Sequence, residues 1–396
     1  MRERVERLAA IERGSASPGE RVAAELIAEE LGSLGARVRL EEEQVHGTYW
    51  WPLGILAALG ALGGFARRRA IGVAAGALAA AGAWDDLRLN RRALRRRLPQ
   101  RRAVNVVAEL GDENAEHTVL VMAHHDAAHA GLVFHPEIPR SIGRRFPGLI
   151  ERSDTTPPAM WGTVGGPALV ALGSAVGGRF GRGVRRLGGV ISAGYIAAMA
   201  DIGVRRVVPA ANDNATGVAV LLSLARAFSD EPPPGLRIML LSTGSEESIL
   251  EGMEGFARRH FGELPRDRTH VINVDTVGSP HLLLLEGEGM LGIREYPKDF
   301  LALVRACARE LGIYIYPNLR FRNATDGVVA LKAGYPTVML GSVDEFKAPT
   351  HYHWPSDVPE NVDFDRVADA ARLVEAVVRR LAVQETFDQT PAEART

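Results

Sequence analysis

At 396 residues the chain is long enough for one large domain or two ordinary ones, with a core that needs no disulfide support. Lys and Arg total 47 against 48 for Asp and Glu, and the resulting net charge of -1 excludes an overall nucleic-acid-binding signature. The single cysteine, Cys307, excludes an intrachain disulfide and lies in an apolar-periodic stretch from Phe300 to Leu311, the setting of a buried helical thiol rather than a nucleophile.

The amino terminus, Met1-Arg2-Glu3-Arg4, runs directly into charged helical sequence without the apolar core of a secretory signal, which points to a cytoplasmic catalytic part. Ser17-Pro18-Gly19-Glu20 reads as a capping box with proline at the first helical position; Val22, Leu26, Ile27 and Leu31 follow on one helical face, and Gly32 ends it. Arg37 to Glu42 alternates as a strand does. An apolar block follows, with 23 uncharged residues from Gln44 to Ala66, then Arg67-Arg68-Arg69, then 15 more from Ala70 to Trp84. Arg88, Arg91, Arg92, Arg95, Arg96, Arg97, Arg101 and Arg102 come next without an acid among them, a basic block that reads as a solvated face or a surface for anionic lipid.

Val104 to Leu110 and Thr118 to Ala123 read as two more strands joined by the turn-rich Gly111-Asp112-Glu113-Asn114. A second block repeats the apolar layout: 24 uncharged residues from Thr155 to Gly178, a basic turn from Arg179 to Arg186, and 14 from Leu187 to Ala200. Each block predicts a helical hairpin. The longer arms suffice to span a bilayer, whereas 15 helical residues reach only about 22 Å against a hydrocarbon core of about 30 Å. Pairs of small residues four apart (Gly60 and Gly64, Gly72 and Gly76, Gly173 and Gly177) suit close helix contact in lipid, and Tyr49, Trp50, Trp51, Trp84 and Trp161 sit at arm ends as interfacial anchors do. Membrane association through residues 48–84 and 155–203 is the expectation, with a soluble helical cap or a homo-oligomer interface as its alternative. Further strands at Leu236 to Leu241, His270 to Val274 and Thr337 to Leu340 alternate with helices at Ala215 to Phe228, Asp299 to Leu311 and Asp363 to Leu381. This order predicts an α/β domain with a mixed, mainly parallel central sheet flanked by helices.

Five short clusters carry metal chemistry, since borderline divalent cations take imidazole nitrogen and carboxylate oxygen. His124, in Ala123-His124-His125-Asp126, closes an apolar strand, and Asp126 two residues on is placed to hold its far ring nitrogen; His125 points away and has no metal role. Asp213 lies in Asn212-Asp213-Asn214 ahead of a helix, where capping and metal bridging are compatible and the loop approaches closely at Gly217. Glu246 and Glu247 follow an apolar strand, and adjacent side chains diverge, so one binds metal while the other faces the attacking water. Asp275 ends another strand, and His353 lies in His351-Tyr352-His353-Trp354-Pro355-Ser356-Asp357, with His351 as the competing ligand.

In order and context these clusters resemble the co-catalytic zinc aminopeptidase family, metallopeptidase family twenty-eight, which also holds glutamate carboxypeptidase II and relatives of the glutaminyl cyclases. The resemblance implies a zinc exopeptidase-like catalytic domain over 1–47, 103–130 and 205–385. It leaves 48–102 as an apolar hairpin plus Arg-rich segment, 131–204 as a second insertion with its own hairpin, and 386–396 as a tail. It implies two zinc ions, or other divalent metals, with His124 and Asp275 holding one, Glu247 and His353 the other, and Asp213 bridging. Glu246 becomes the general base, Tyr352 a donor to the oxyanion, Asp326 a supporting residue and Arg322 a contact for a substrate carboxylate. Aminopeptidase activity on a peptide substrate is the leading expectation; a deacylase or carboxypeptidase on another amide, and an inactive binding protein of the same fold, are the alternatives. Trp354 departs from the family's small hydroxyl residue, and 88 residues separate His124 from Asp213 where the family has a short loop. If the first three strands form an antiparallel meander, both hairpins rise at the sheet end that carries His124, as a cap that admits substrate from the membrane face.

Overall fold

The computed structural model describes residues 1–389. Two helices, α1 (Arg2–Ala9) and α2 (Pro18–Ser33), precede strand β1 (Arg37–Val45), the hairpin helices α3 (Trp50–Phe65) and α4 (Arg69–Leu87), β2 (Arg101–Gly111) and β3 (His117–His124). The second insertion holds α5 (Glu137–Arg145), α6 (Pro147–Arg152), α7 (Trp161–Val176) and α8 (Gly178–Val204). Then come α9 (Thr216–Asp230), β4 (Leu236–Thr243), α10 (Glu251–His260), β5 (Thr269–Val274), β6 (His281–Leu284), β7 (Gly287–Glu288), β8 (Arg294–Glu295), α11 (Lys298–Glu310), β9 (Arg320–Phe321), α12 (Gly327–Ala333), β10 (Thr337–Val343) and α13 (Phe364–Gln389). Of the tail expected at 386–396, the first four residues continue α13 and the rest lies outside the described residues.

The main sheet has seven strands in the order β1-β2-β4-β3-β5-β10-β6, with β4, β3, β5 and β10 mutually parallel and β1, β2 and β6 antiparallel to their neighbours. The central strands are apolar on both faces because both faces are covered. Val119 and Val121 of β3 pack on the side of Val218 and Leu222 of α9, while Leu120 and Met122 pack with Met253 and Phe256 of α10. Burying such a side chain contributes about 1.5–3 kcal/mol, and parallel strands share one carboxyl edge, so the same burial that fixes the register aligns the residues that follow each strand. The expected meander is not what forms. β4 lies between β2 and β3, pairing Val106 with Ser242 and His124 with Thr243. The placement it was meant to explain survives, because β1 and β3 still run the same way across the antiparallel β2.

The hairpins pack into one four-helix bundle in which α3 and α7 each contact both α4 and α8. Its closest helix contacts are made by small residues, around a few larger buried groups such as Leu56 and Val170. A Cβ on Gly64 would lie 2.5 Å from the Cα of Gly189, and one on Gly76 would lie 2.6 Å from the backbone nitrogen of Ala171. Large side chains face out, among them Leu62, Leu78, Leu172 and Val190. Helices α4 and α8 are long and apolar enough to cross a bilayer, while α3 and α7 are shorter.

The Arg-rich segment does not form a uniformly solvated face. Arg92 and Arg95 are buried at the root of the bundle. Arg95 pairs with Asp86 at 2.8 Å and Glu251 at 3.1 Å and donates to the carbonyls of Thr48 and Ser248, while Arg92 reaches Glu254 at 2.7 Å and the carbonyl of Ile249. The root is thereby tied to the segment that follows Glu246 and Glu247.

Candidate metal centre

The carboxyl edge of the parallel strands gathers His124 from the end of β3, Glu246 and Glu247 from beyond β4, and Asp275 from beyond β5. Asp213 arrives from the turn before α9, and His353 from the loop after β10. His124 Nε2 lies 3.1 Å from Asp213 Oδ1 and 3.9 Å from Asp275 Oδ1. His353 Nε2 lies 3.2 Å from Asp213 Oδ2 and 3.1 Å from Glu247 Oε1. Asp213 therefore faces both imidazoles, one oxygen to each. Two of the close ligand-type triads are His124, Asp213 and Asp275, and Asp213, Glu247 and His353; a third joins His124 to Glu246 and Glu247.

The atoms converge without satisfying one another. Asp213 Oδ2, Glu247 Oε1 and His353 Nε2 are buried and have no hydrogen-bond partner. A buried charged atom left in that state is costly, and a cation in the space they share would remove the cost. The titration behaviour agrees. Burial raises Glu246 well above the usual carboxylate range, with Glu247, Asp326 and Asp275 adding to it. Burial also carries Asp275 to about 6, with Asp213 adding to the rise, and Asp326 to about 7. Burial opposes charge on His353, but Glu247 and Asp213 hold its proton up to about 10. Excess buried carboxylate with imidazole nitrogen is a nitrogen and oxygen donor set that suits zinc.

A supporting layer fixes these groups. Asp126 Oδ1 accepts from the backbone N–H of Glu246 at 3.0 Å and Oδ2 from that of Glu247 at 3.1 Å, while Oδ1 stands 3.4 Å from His124 Nδ1. The expectation for Asp126 thus describes only part of what it does, since it also orients the paired glutamates. Asp213 does not cap α9. Asn214 accepts from Gly217 N–H at 2.9 Å instead, and a Cβ on Gly217 would lie 2.4 Å from Asn214 Oδ1. His125 turns to Ser242 and His351 to Ser356, so neither joins the cluster. Asp326 accepts from Thr243 at the end of β4, beneath Glu246. The Tyr352 ring stacks on His353 at 3.8 Å between centroids, and Phe134 meets both rings edge-on.

Four supporting residues escaped the sequence reading. Asp357 accepts from the backbone N–H groups of Asn212 and Asp213, and Arg13 donates to the carbonyls of His125, Pro209 and Ala210. Ser15 donates to Asp126. Glu20 leaves the reciprocal half of its capping box unmade; its carboxylate accepts from Ala16, Val104 and Ser245 and so braces the loop that carries Glu246. The proximity of Asp357 to His353 in sequence was the available signal; Arg13 offered none.

Beside the cluster lies a cavity of about 550 Å³ whose lining includes Glu246, Glu247, Tyr352 and His353 on one side and residues 134–160 on the other. Arg322 also lines it. Its guanidinium makes no ion pair among the described residues, and its backbone N–H donates to Thr156.

Residues 194–378 match the family model described as Peptidase family M28, a span that contains Asp213, Glu246, Glu247, Asp275 and His353 but not His124. No curated protein matches the sequence. Among solved structures, a Zn-dependent exopeptidase from Parabacteroides distasonis is 14% identical, with 96% of each chain covered and a TM-score of 0.56. An aminopeptidase from Aneurinibacillus sp. strain AM-1 is 16% identical over 95% of this chain and 92% of that one, with a TM-score of 0.56. A glutaminyl cyclase from Tannerella forsythia is 15% identical over 95% of this chain and 96% of that one, with a TM-score of 0.55. At such identities the likeness is one of fold, the mixed sheet flanked by helices of the zinc exopeptidases.

Proposed function

On the premise that residues 194–378 are those of a family M28 peptidase, we propose that the protein is a zinc-dependent exopeptidase of the aminopeptidase type that works with two metal ions. The observation that carries this reading is the pair of triads sharing Asp213, whose buried Oδ2 faces His353 and Glu247 without a hydrogen bond. His124 and Asp275 would hold one ion, Glu247 and His353 the other, and Asp213 both. When bound, zinc supplies a water of lowered pKa and polarisation of the scissile carbonyl.

Glu246 is the general base. It is buried beside His124 and Glu247, and Asp126 fixes its backbone. Its carboxylate accepts the proton released by water and returns it to the leaving amine nitrogen. Tyr352 lines the cavity where the carbonyl must sit, so its hydroxyl is the available neutral donor to the oxygen that becomes negative. The reading includes attachment to a membrane through the four-helix bundle, with the catalytic domain on the cytoplasmic side; the lengths and composition of α4 and α8 support attachment.

A carboxypeptidase or deacylase reading has one observation in its favour. Among the described residues Arg322 has no acidic partner, and the acids lining its cavity are Glu246 and Glu247, an arrangement that suits a substrate carboxylate. Glu246→Gln tests the common chemistry: zinc content stays at the wild-type level while hydrolysis falls by about 10²–10⁴-fold. Retained hydrolysis removes Glu246 as the base. A panel of aminoacyl, N-acyl and amino-terminal glutaminyl substrates separates the readings, and loss of activity in Arg322→Ala only on substrates with a free carboxylate selects the second.

A further inference from the structure

We infer that the cavity beside the metal centre opens at a bilayer surface and takes amides whose apolar portion is held in lipid. This rests on the metallohydrolase reading of the site. Three features of the chain outside the ligand set lead there.

The bundle is packed inside out for water. Soluble bundles bury their large apolar side chains, yet here glycine, alanine and serine make the close helix contacts, with Leu56, Pro167 and Val170 among the few larger groups inside, and Leu62, Leu172 and Phe180 stand 71%, 61% and 77% exposed. Its charge-free band is bounded at both ends. Trp51, Trp84 and Trp161 are exposed at the catalytic end. Arg67, Arg68 and Arg69 meet Arg179, Arg182, Arg185 and Arg186 at the other, where Arg69 donates to the carbonyls of Ser174 and Ala175 and so joins the two tips. No acid occurs from Gln44 to Trp84 or from Thr155 to Ala200. The shortest charge-free arm, the 14 residues from Leu187 to Ala200, reaches about 21 Å, and arginine stems that extend to the phosphates make up the difference to a core of about 30 Å.

The bundle root is continuous with the site. Tyr49, Leu53, Leu87, Met199 and Ile202 form one apolar cluster with Ile249 and Leu250, two and three residues beyond Glu247. A membrane that surrounds the bundle therefore ends close to the cavity mouth.

The wall of that mouth is itself amphipathic, and it is not the helical hairpins. It is the flap of α5 and α6, anchored by His135 against Trp354 and by Phe134 against His353. Pro139, Ile142 and Ile150 of the flap line the cavity, while Ile138 and Phe146 face outward and are exposed. Arg144 and Arg145 are exposed on the same short helix, where Arg144 pairs with Glu137 at 2.6 Å and the helix keeps a net positive charge from Arg140, Arg144 and Arg145 against that one acid. Basic and apolar groups together on an outer face complement an anionic lipid surface. The flap start is tied to the bundle where the backbone N–H of Leu132 donates to Asp201 of α8.

The experiment uses the full zinc-loaded chain reconstituted in vesicles of phosphatidylcholine with anionic phosphatidylglycerol. It compares a short soluble amide with the same amide carrying a long alkyl chain. The expected result is a preference of tenfold or more in kcat/KM for the alkylated substrate, reduced at least fivefold in Ile138→Glu/Phe146→Glu with the soluble substrate unchanged; Phe146→Ser, a milder change, shifts it in the same direction. Equal use of both substrates, or a preference the flap variants leave intact, overturns the proposal. Flotation and quenching of tryptophan by brominated lipid are read in parallel on Glu246→Gln. Failure to float, or a bundle buried in a soluble dimer, also overturns it. Flotation and quenching without hydrolysis of any amide points instead to failure of the enzyme reading.

Discussion

Asp213 and His353 show how a few ångströms of placement decide the chemistry of the site. In the free site burial keeps the proton on Asp275 up to about 6, and Glu247 and Asp213 outweigh burial to keep that on His353 up to about 10, whereas a metal requires both deprotonated. Raising pH therefore favours the bound state, and affinity for zinc should climb from about pH 6 to about pH 10. Burial opposes charge on His124 as well, but Asp126 and Asp213 raise it well above its ordinary value, so at pH 7 loading should release protons from both imidazoles. Calorimetry in two buffers of different ionisation enthalpy measures that release; no proton release would mean that His353 is neutral in the free site. Asp357→Ala should leave the N–H groups of Asn212 and Asp213 without their acceptor, at a cost of about 1–3 kcal/mol each in stability and about 10–100-fold in zinc affinity. Of the candidate ligands, His124, Glu247 and Asp275 were legible as an imidazole or carboxylate at or just beyond the end of an apolar strand, whereas Asp213 and His353 lie in polar loops and stood out only through the order of the clusters. Arg13 was not, because its partners are the backbone carbonyls of His125 and Pro209, more than a hundred residues away, and a carbonyl has no residue-type signature.

At the scale of elements, the decisive join is between the end of α4 and the start of α10. Arg95 is buried with Asp86 and Glu251, so Arg95→Met takes the close cation from two interior acids and leaves Asp86 only the longer contact to Arg92 at 3.4 Å, a loss of about 3–5 kcal/mol in unfolding free energy. The pH dependence has a definite sign. Burial works against ionisation of Glu251, but Arg95 and Arg92 outweigh it and hold the group below its ordinary value. Its contribution is complete above an unfolded-state value of about 4.3 and is lost as pH falls through the lower folded value. Denaturant titrations at pH 7 and below pH 4 should therefore show a smaller gap between wild type and Arg95→Met in acid. The hairpins could be read from uncharged runs alone, but this join could not, since a run of arginines gives no indication of which of them meet buried acids. The order of strands was hidden for a related reason. β4 displaces β3 as the neighbour of β2 through pairing across more than a hundred residues, and no local pattern records that choice. The flap of α5 and α6 escaped because nine and six residues with arginine throughout look like loop.

For the whole molecule, the two insertions interrupt the catalytic sheet at separate points yet have only one structure between them. Each hairpin supplies half of a bundle whose interior is backbone contact, Gly64 against Gly189 and Gly76 against Ala171. Neither half can close that interior alone. Replacing residues 54–83 with a short linker should leave α7 and α8 without a partner surface and give a chain that aggregates even in detergent. Replacing 54–83 and 164–198 together removes both faces of the interior while keeping Leu53, Leu87, Met199 and Ile202 at the root. Adjacent helices stand about 8–10 Å apart, a gap that four extended residues of about 3.3 Å each can cross, so the double replacement should fold as a soluble protein. Its metal ligands, and the N–H and carboxylate groups that hold them, all come from outside the excised segments. Zinc content and hydrolysis of a short soluble amide should then match the full chain, while binding to vesicles should fall sharply, to what the flap and the root tryptophans alone provide. Size-exclusion chromatography, metal analysis and flotation on the two variants measure this; a single replacement that stays monodisperse would show that the hairpins are independent units rather than halves of one.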